Sequence, residues 1–215
     1  MSRWVVVLAG GVGSRFWPLS TPQRPKQLLP LVGKEPLLVE QLKRLKPIAP
    51  PSRTLILTNA SLVRAIGRAA PRIPKKNIIA EPKPAGTAAA LAWAAHLIEQ
   101  RDGPDATMIS VHADWSIADA DGFRRTLLRG AETAELLGGL VTVGIVPTRP
   151  DPGFGYIEPG DAIGDGVRRV ARFVEKPTRE RAAEMQRAGY LWNSGIFVWR
   201  VGEFLSELRA HSPEV

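Results

Sequence analysis

The chain contains no cysteine, so it can form neither a disulfide nor a thiolate metal site. Nor does any apolar run approach the roughly 18 residues of a membrane span. Met1 to Ala9 leads into a glycine-rich turn instead of a cleavage site, so no signal peptide is expected. These absences are compatible with a cytoplasmic protein that has no membrane partner. A concentrated basic tract is missing too. The 215 residues carry a net charge of +8, and nucleic acid is the first partner such a balance suggests. Yet the basic residues fall in scattered pairs such as Lys75-Lys76, Arg124-Arg125 and Arg168-Arg169, without interleaved aromatics. No nucleic-acid partner is expected. A small polyphosphate would gain from the same field through electrostatic steering.

What is present is a regular alternation. "WVVVLA", "TLILT", "NIIA" and "ATMISV" read as buried strands, each followed by a helical pattern. "PLLVEQLKRL" places Leu38, Leu42 and Leu45 on one helical face, and "TAAALAWAAHLIEQ" reads as a helix capped by Thr87. Such alternation predicts an α/β fold, a largely parallel sheet with helices on both faces. "GLVTVGIV" is read as a further buried run. After "PTRPDPG" the texture changes to shorter strands, "FGYIEP" and "VRRVARFVE", then a helix, "SGIFVWR" and a closing helix from Val201. Without a linker or repeat, residues 1–215 read as a single domain, with one half over 1–147 and another over 148–215.

The stretch "LAGGVGSRFWPLS" drives a strand into a glycine-rich turn followed by cations. A dinucleotide fingerprint would need a glycine where Phe16 stands, and the Walker pattern fails because no Gly-Lys-Ser/Thr follows Gly13. What remains is a turn whose backbone N–H groups can cup phosphate oxygens. The competing reading is a tight structural turn with solvated arginines. Pro22, Pro25 and Pro30 weigh against it, because they stiffen the segment that carries Lys26.

"LAGGVGSRFWPLS" with "RPKQLLPL" resembles the signature of the sugar-phosphate nucleotidyltransferases. "PTRPDPGFGYIEPG", "RFVEKP" and "YLWNSGIFVWR" resemble the mannose-1-phosphate guanylyltransferase branch in particular. The blocks occur in order from Leu8 to about Arg200. The resemblance implies a GT-A-like (Rossmann-like), doubly wound α/β domain with a mixed sheet. It implies a reaction between GTP and mannose 1-phosphate that yields GDP-mannose and pyrophosphate. It also makes 1–147 the nucleotide-binding half and 148–215 the sugar-phosphate-binding half.

By that resemblance Gly10, Gly11 and Gly13 cup the triphosphate, Arg15 pairs with its outer phosphates, and Lys26 serves the α-phosphate or the attacking sugar phosphate. Arg15 and Lys26 are thus the expected catalytic cations. Asp114, ending "SVHAD", is the expected ligand for Mg²⁺, the implied cofactor; a loop Asp capping the next helix is the alternative. His112 is read as packing or loop support. Glu81 and Thr87 lie in the implied base-binding segment, which could equally be a Pro-rich helix entry. On the sugar side Gly155 and Tyr156 shape the pocket, Glu175 and Asn193 bond sugar hydroxyls, and Lys176 holds the sugar phosphate. A solvated Glu-Lys pair is the plain alternative for Glu175 and Lys176. Trp192 and Trp199 are read as core.

Such enzymes carry a second metal-binding aspartate beyond the "WNSG" block, and no matching motif occurs before Val215. The chain is therefore either C-terminally truncated, or completed differently at the metal, or impaired. Another base or sugar, and a non-catalytic nucleotide- or sugar-phosphate-binding module, stay open as alternatives. A homodimer is left open as well.

Overall fold

Three consecutive valines set the centre of the sheet. In the computed structural model, which describes residues 1–11, 16–22, 24–83 and 85–213, strand β1 (Arg3–Leu8) buries Trp4 and Val5–Val7 together. A strand buried on both faces needs cover on both, and the chain supplies it with helices. Two compact units result: Met1–Val141 with Phe197–Val215, and Thr142–Ile196.

In the first unit β1 pairs in parallel with β2 (Thr54–Asn59) on one side and β4 (Thr107–His112) on the other. Strand β3 (Ile78–Glu81) extends the sheet beyond β2, again in parallel. Strand β8 (Leu191–Arg200) contributes Phe197–Arg200, which run antiparallel to β4 with Met108 opposite Trp199. The sheet is therefore mixed, in the order β3-β2-β1-β4-β8. Helices α1 (Leu37–Leu45), α2 (Val63–Ala69), α3 (Gly86–Asp102), α4 (Ala120–Leu137) and α6 (Val201–His211) also belong to this unit. On one face, Ala90, Ala94 and Ala95 of α3 let that helix approach Val6, Leu55, Leu57 and Met108 closely, with Trp199 and Phe204 completing the cluster. Fully burying a side chain the size of valine or leucine contributes about 1.5–3 kcal/mol, so this layer contributes strongly to the unit's cohesion.

Two expectations need correcting. Thr87 does not cap α3: the helix starts at Gly86, and Ala85 at the cap position offers no side-chain acceptor. Gly86 has a φ of 88°, which only glycine adopts readily, and this puts Thr87 inside the first turn. The run "GLVTVGIV" is not buried. Strand β5 (Val141–Ile145) is half-buried at its start and exposed at Gly144 and Ile145, because it lies off the main strand order and pairs with β8 alone. The cap of α4 is Asp119, whose carboxylate accepts from the Gly122 N–H at 2.8 Å. Asp114 is thereby freed of the capping role.

The second unit is built on a hairpin. Strands β6 (Tyr156–Gly164) and β7 (Val167–Val174) pair antiparallel, and β6 also pairs with the start of β8 through Tyr156–Trp192 and Ile157–Leu191. Helix α5 (Arg179–Arg187) is capped by the Thr178 hydroxyl, which accepts from Arg181 N–H. Its small core holds Tyr156, Ala182, Met185, Tyr190 and Trp192. The units are cut differently from the halves 1–147 and 148–215, since the end of β8 pairs with β4 and α6 packs on α3. Among the described residues no helix is long and apolar enough to cross a membrane.

Candidate active site

Parallel strands deliver their C-terminal ends to one edge of the sheet, and in open α/β sheets that edge is where ligands bind. Here β1 leads into Ala9-Gly10-Gly11, β2 ends at Asn59, β3 at Glu81, and β4 leads through His112 to Asp114. All of them line a cavity of about 430 Å³ in the first unit, with Gly86 and Thr87 from the start of α3. The turn after β1 is anchored from below. Ala9 N–H donates to Leu57 O at 2.8 Å, and Ala9 O accepts from the buried Gln27 Nε2 at 2.7 Å and the buried Thr58 hydroxyl at 3.1 Å.

Gln27 lies in a short 3₁₀ turn, Lys26–Leu28, so fixing it also fixes Lys26. The Lys26 ammonium makes an ion pair with Asp114 and stands 5.5 Å from the centre of the Phe16 ring. Both members of the pair are partly solvent-accessible, so their charges are available to a ligand. His112 stacks on Trp115 at 6.0 Å between ring centres. Burial pushes its imidazole below the usual histidine range, against the opposing pull of Asp114. A neutral ring there agrees with a supporting role. Gly13 and Arg15, the remaining residues expected on this turn, lie outside the described residues.

Glu81 forms no hydrogen bond or ion pair with any described residue, and burial raises its carboxyl above the ordinary carboxylate range. A partly desolvated acceptor without a donor is set up to receive one from a ligand. Gly10 makes room for it: a Cβ there would stand 3.2 Å from the Glu81 Oε2. The amino end of α3 opens on the same cavity without a side-chain cap. Its free N–H groups and the positive end of the helix dipole favour an anion there. Glu81 also borders a second cavity of about 490 Å³, lined by Trp93 and Leu208. That one carries few of the polar groups gathered at the strand ends.

The nucleotidyl transferase family model matches residues 4–215. The chain belongs to this family. It is 39% identical over 217 residues to a mannose-1-phosphate guanylyltransferase of Sinorhizobium fredii, covering 97% of this chain and 41% of the relative. It is also 39% identical over 223 residues to the mannose-1-phosphate guanylyltransferase RfbM of Salmonella typhimurium, covering 100% of this chain and 45% of that one. The chain thus spans less than half the length of these curated relatives. The crystal structure of a mannose-1-phosphate geranyltransferase from Thermus thermophilus superposes with a TM-score of 0.91 at 35% identity, over 99% of this chain and 62% of that one.

The residues expected on the sugar side all fall in the second unit. Gly155 is their hub. Its carbonyl accepts from Asn193 N–H at 2.8 Å, and a Cβ on it would stand 2.8 Å from the Glu175 carboxylate. Asn193 Oδ1 accepts from the Thr142 hydroxyl at 3.1 Å and from Gly195 N–H. Glu175 and Lys176 are exposed and paired at 3.1 Å, and Lys176 has a φ of 43°, a left-handed conformation unusual for a lysine. Tyr156 belongs to the small core of the second unit. Its ring is fully buried, and its hydroxyl both accepts from Asp151 N–H and donates to Asp151 O, which ties down the loop before Gly155. Trp192 and Trp199 are core.

Two polar cavity residues were missed in the sequence: Gln27 and Asn59. Gln27 adjoins Lys26 in "RPKQLLPL", and Asn59 follows "TLILT" directly, so adjacency and strand-end position were the available signals.

Proposed function

We propose that this nucleotidyl transferase forms GDP-mannose and pyrophosphate from GTP and mannose 1-phosphate. The observation that carries the reading is one cavity bordered by a glycine turn, a helix amino end, Asp114, whose ion-pair partner is Lys26, and Glu81, which has no partner among the described residues. The names of the relatives favour the same substrates. In this reading an anionic oxygen of mannose 1-phosphate attacks the α-phosphorus of GTP. A new P–O bond forms, the bond from the α-phosphorus to the β-bridging oxygen breaks, and pyrophosphate leaves with the electron pair. The nucleophile is already ionised, so no general base is required, and the chemistry rests on alignment and charge neutralisation.

Lys26 would leave Asp114 for the reacting phosphates, a mobile point charge suited to that task. The backbone at Gly10 and Gly11 and the amino end of α3 would hold phosphate oxygens, while Glu81 would accept from guanine N1–H and the 2-amino group. Thr87, in the first turn of α3, would border the nucleotide. Arg15 and Gly13 keep the roles that the resemblance implies. Among the described residues no group of three acidic or histidine side chains could hold a metal unaided. Asp114 alone, a hard carboxylate on the cavity, fits Mg²⁺, which needs only one or two protein carboxylates when phosphates supply other ligands. Bound there, Mg²⁺ would neutralise phosphate charge. Glu175, Asn193 and Lys176 would serve the sugar phosphate, with Gly155 and Tyr156 shaping their surroundings. The cytoplasm, where nucleoside triphosphates are held, suits this reaction.

The test is pyrophosphate release over a panel of triphosphates and sugar 1-phosphates. The highest kcat/KM is expected for GTP with mannose 1-phosphate. Equal use of glucose 1-phosphate, or of another base, would overturn the substrate assignment.

A further inference from the structure

Asn59 and Glu81 close neighbouring strands in the same register, Asn59 opposite Glu81. Registered residues of adjacent strands leave the same face of the sheet, about 4.8 Å apart. Both border the 430 Å³ cavity, whose apolar walls include Leu8, Leu57 and Ala90. Their open hydrogen-bonding capacities are opposite in kind. Glu81 is an acceptor without a described partner. In Asn59 the Oδ1 is already engaged, accepting from the Ser61 hydroxyl at 2.6 Å and from Leu62 N–H at 3.2 Å. That engagement orients the amide and leaves both Nδ2 protons without a partner among the described residues.

A cavity with apolar walls that sets an acceptor beside a donor selects among heterocycles. Along its edge guanine presents O6, then N1–H, then the 2-amino group. With N1–H and the 2-amino group on Glu81, the neighbouring O6 meets a donor. Adenine reverses the pattern, setting its 6-amino group against the Asn59 amide protons and its N1 lone pair against the carboxylate. We infer that Asn59 reads the base, its Nδ2 donating to guanine O6 beside Glu81. The inference rests on the guanylyl reading above and adds to it the residue that rejects adenine.

The difficulty in testing Asn59 is that it also caps the turn into α2. Asn59→Ser and Asn59→Asp both keep an oxygen for the Leu62 N–H, while serine lacks the reach and aspartate offers an acceptor instead of a donor. Calorimetric dissociation constants for GTP, ITP and ATP decide the matter, because ratios cancel effects shared by all three. The wild-type protein is expected to favour GTP over ATP. Asn59→Ser should reduce that ratio about tenfold or more, and Asn59→Asp should move it further towards ATP. ITP keeps O6 and N1–H but lacks the 2-amino group, so the GTP/ITP ratio should survive both Asn59 variants and fall in Glu81→Gln. An unchanged GTP/ATP ratio in both Asn59 variants, with wild-type preference for GTP, would overturn the inference and leave the guanylyl reading standing. A wild-type protein indifferent to the base would remove that reading and the inference together.

Discussion

The carbonyl of Ala9 holds up the floor of the cavity, and its two donors make a quantitative prediction. Gln27 Nε2 and the Thr58 hydroxyl both donate to it from fully buried positions, at 2.7 and 3.1 Å. A carbonyl oxygen with two lone pairs tolerates the loss of one donor. Gln27→Leu and Thr58→Val keep approximate shape while each removes one bond, so each should cost about 1 kcal/mol of folding stability. Removing both orphans a buried carbonyl, which adds its desolvation penalty of about 1–3 kcal/mol. The double variant should therefore lose about 4 kcal/mol, where additivity would give about 2. Urea denaturation of the four proteins, read at equal m-value, measures the coupling. Costs that add to within about 0.5 kcal/mol would refute the reasoning, because the carbonyl would then have another partner or be reached by water.

Lys26→Ala should retain the fold, since its ammonium is partly exposed, yet lose about 2–4 kcal/mol of transition-state stabilisation in kcat/KM; turnover near wild type would remove it from the phosphate site. Asp114→Asn should abolish Mg²⁺-dependent activity, because a neutral amide is a poor ligand for a hard cation, and a metal titration resembling wild type would refute the assignment. The Arg3 guanidinium, bonded to Glu135 at 2.7 and 2.8 Å, holds that carboxyl below its ordinary range. Its contribution is thus fully present above the unfolded carboxyl value of about 4.3 and is lost as pH falls towards the lower folded value. Stability curves against pH should show this acid-side loss reduced in Glu135→Gln, and an identical slope in both proteins would refute it. Glu175→Gln and Asn193→Ala should shrink the kcat/KM preference for mannose over glucose 1-phosphate while sparing GTP binding, and an undiminished preference would free both residues of that role.

Much of the frame was legible because local chemistry and tertiary structure agree. The runs containing Val5–Val7, Leu55–Leu57 and Met108–Val111 are apolar on both sides of the strand, which only a helix-covered parallel sheet satisfies. Two glycines at the end of such a strand, followed by a proline-stiffened lysine, pointed to a ligand edge, and Gly10 and Gly11 line the cavity at the strand ends. The order of the sequence blocks carried the family resemblance, and blocks such as "RPKQLLPL" and "RFVEKP" sit at a turn or a strand end, where the backbone demands particular residues.

Tertiary structure alone decided the rest. Nothing local in "RPKQLLPL" says that Gln27 is buried under Ala9, or that Lys26 reaches a carboxylate 88 positions away. Asn59 and Glu81 are separated by a whole helix, and only the parallel register brings them side by side. Tyr156 was expected to shape the pocket, and only the fold shows that its ring lies in the second unit's core while its hydroxyl ties down the loop before Gly155. Thr87 had the chemistry of a helix cap, and a glycine one position earlier moved the start of the helix past it. Periodicity and turn chemistry are short-range and survive in the linear order of residues. Which side chains converge on one ligand depends on register between distant strands, and that is settled only when the sheet closes.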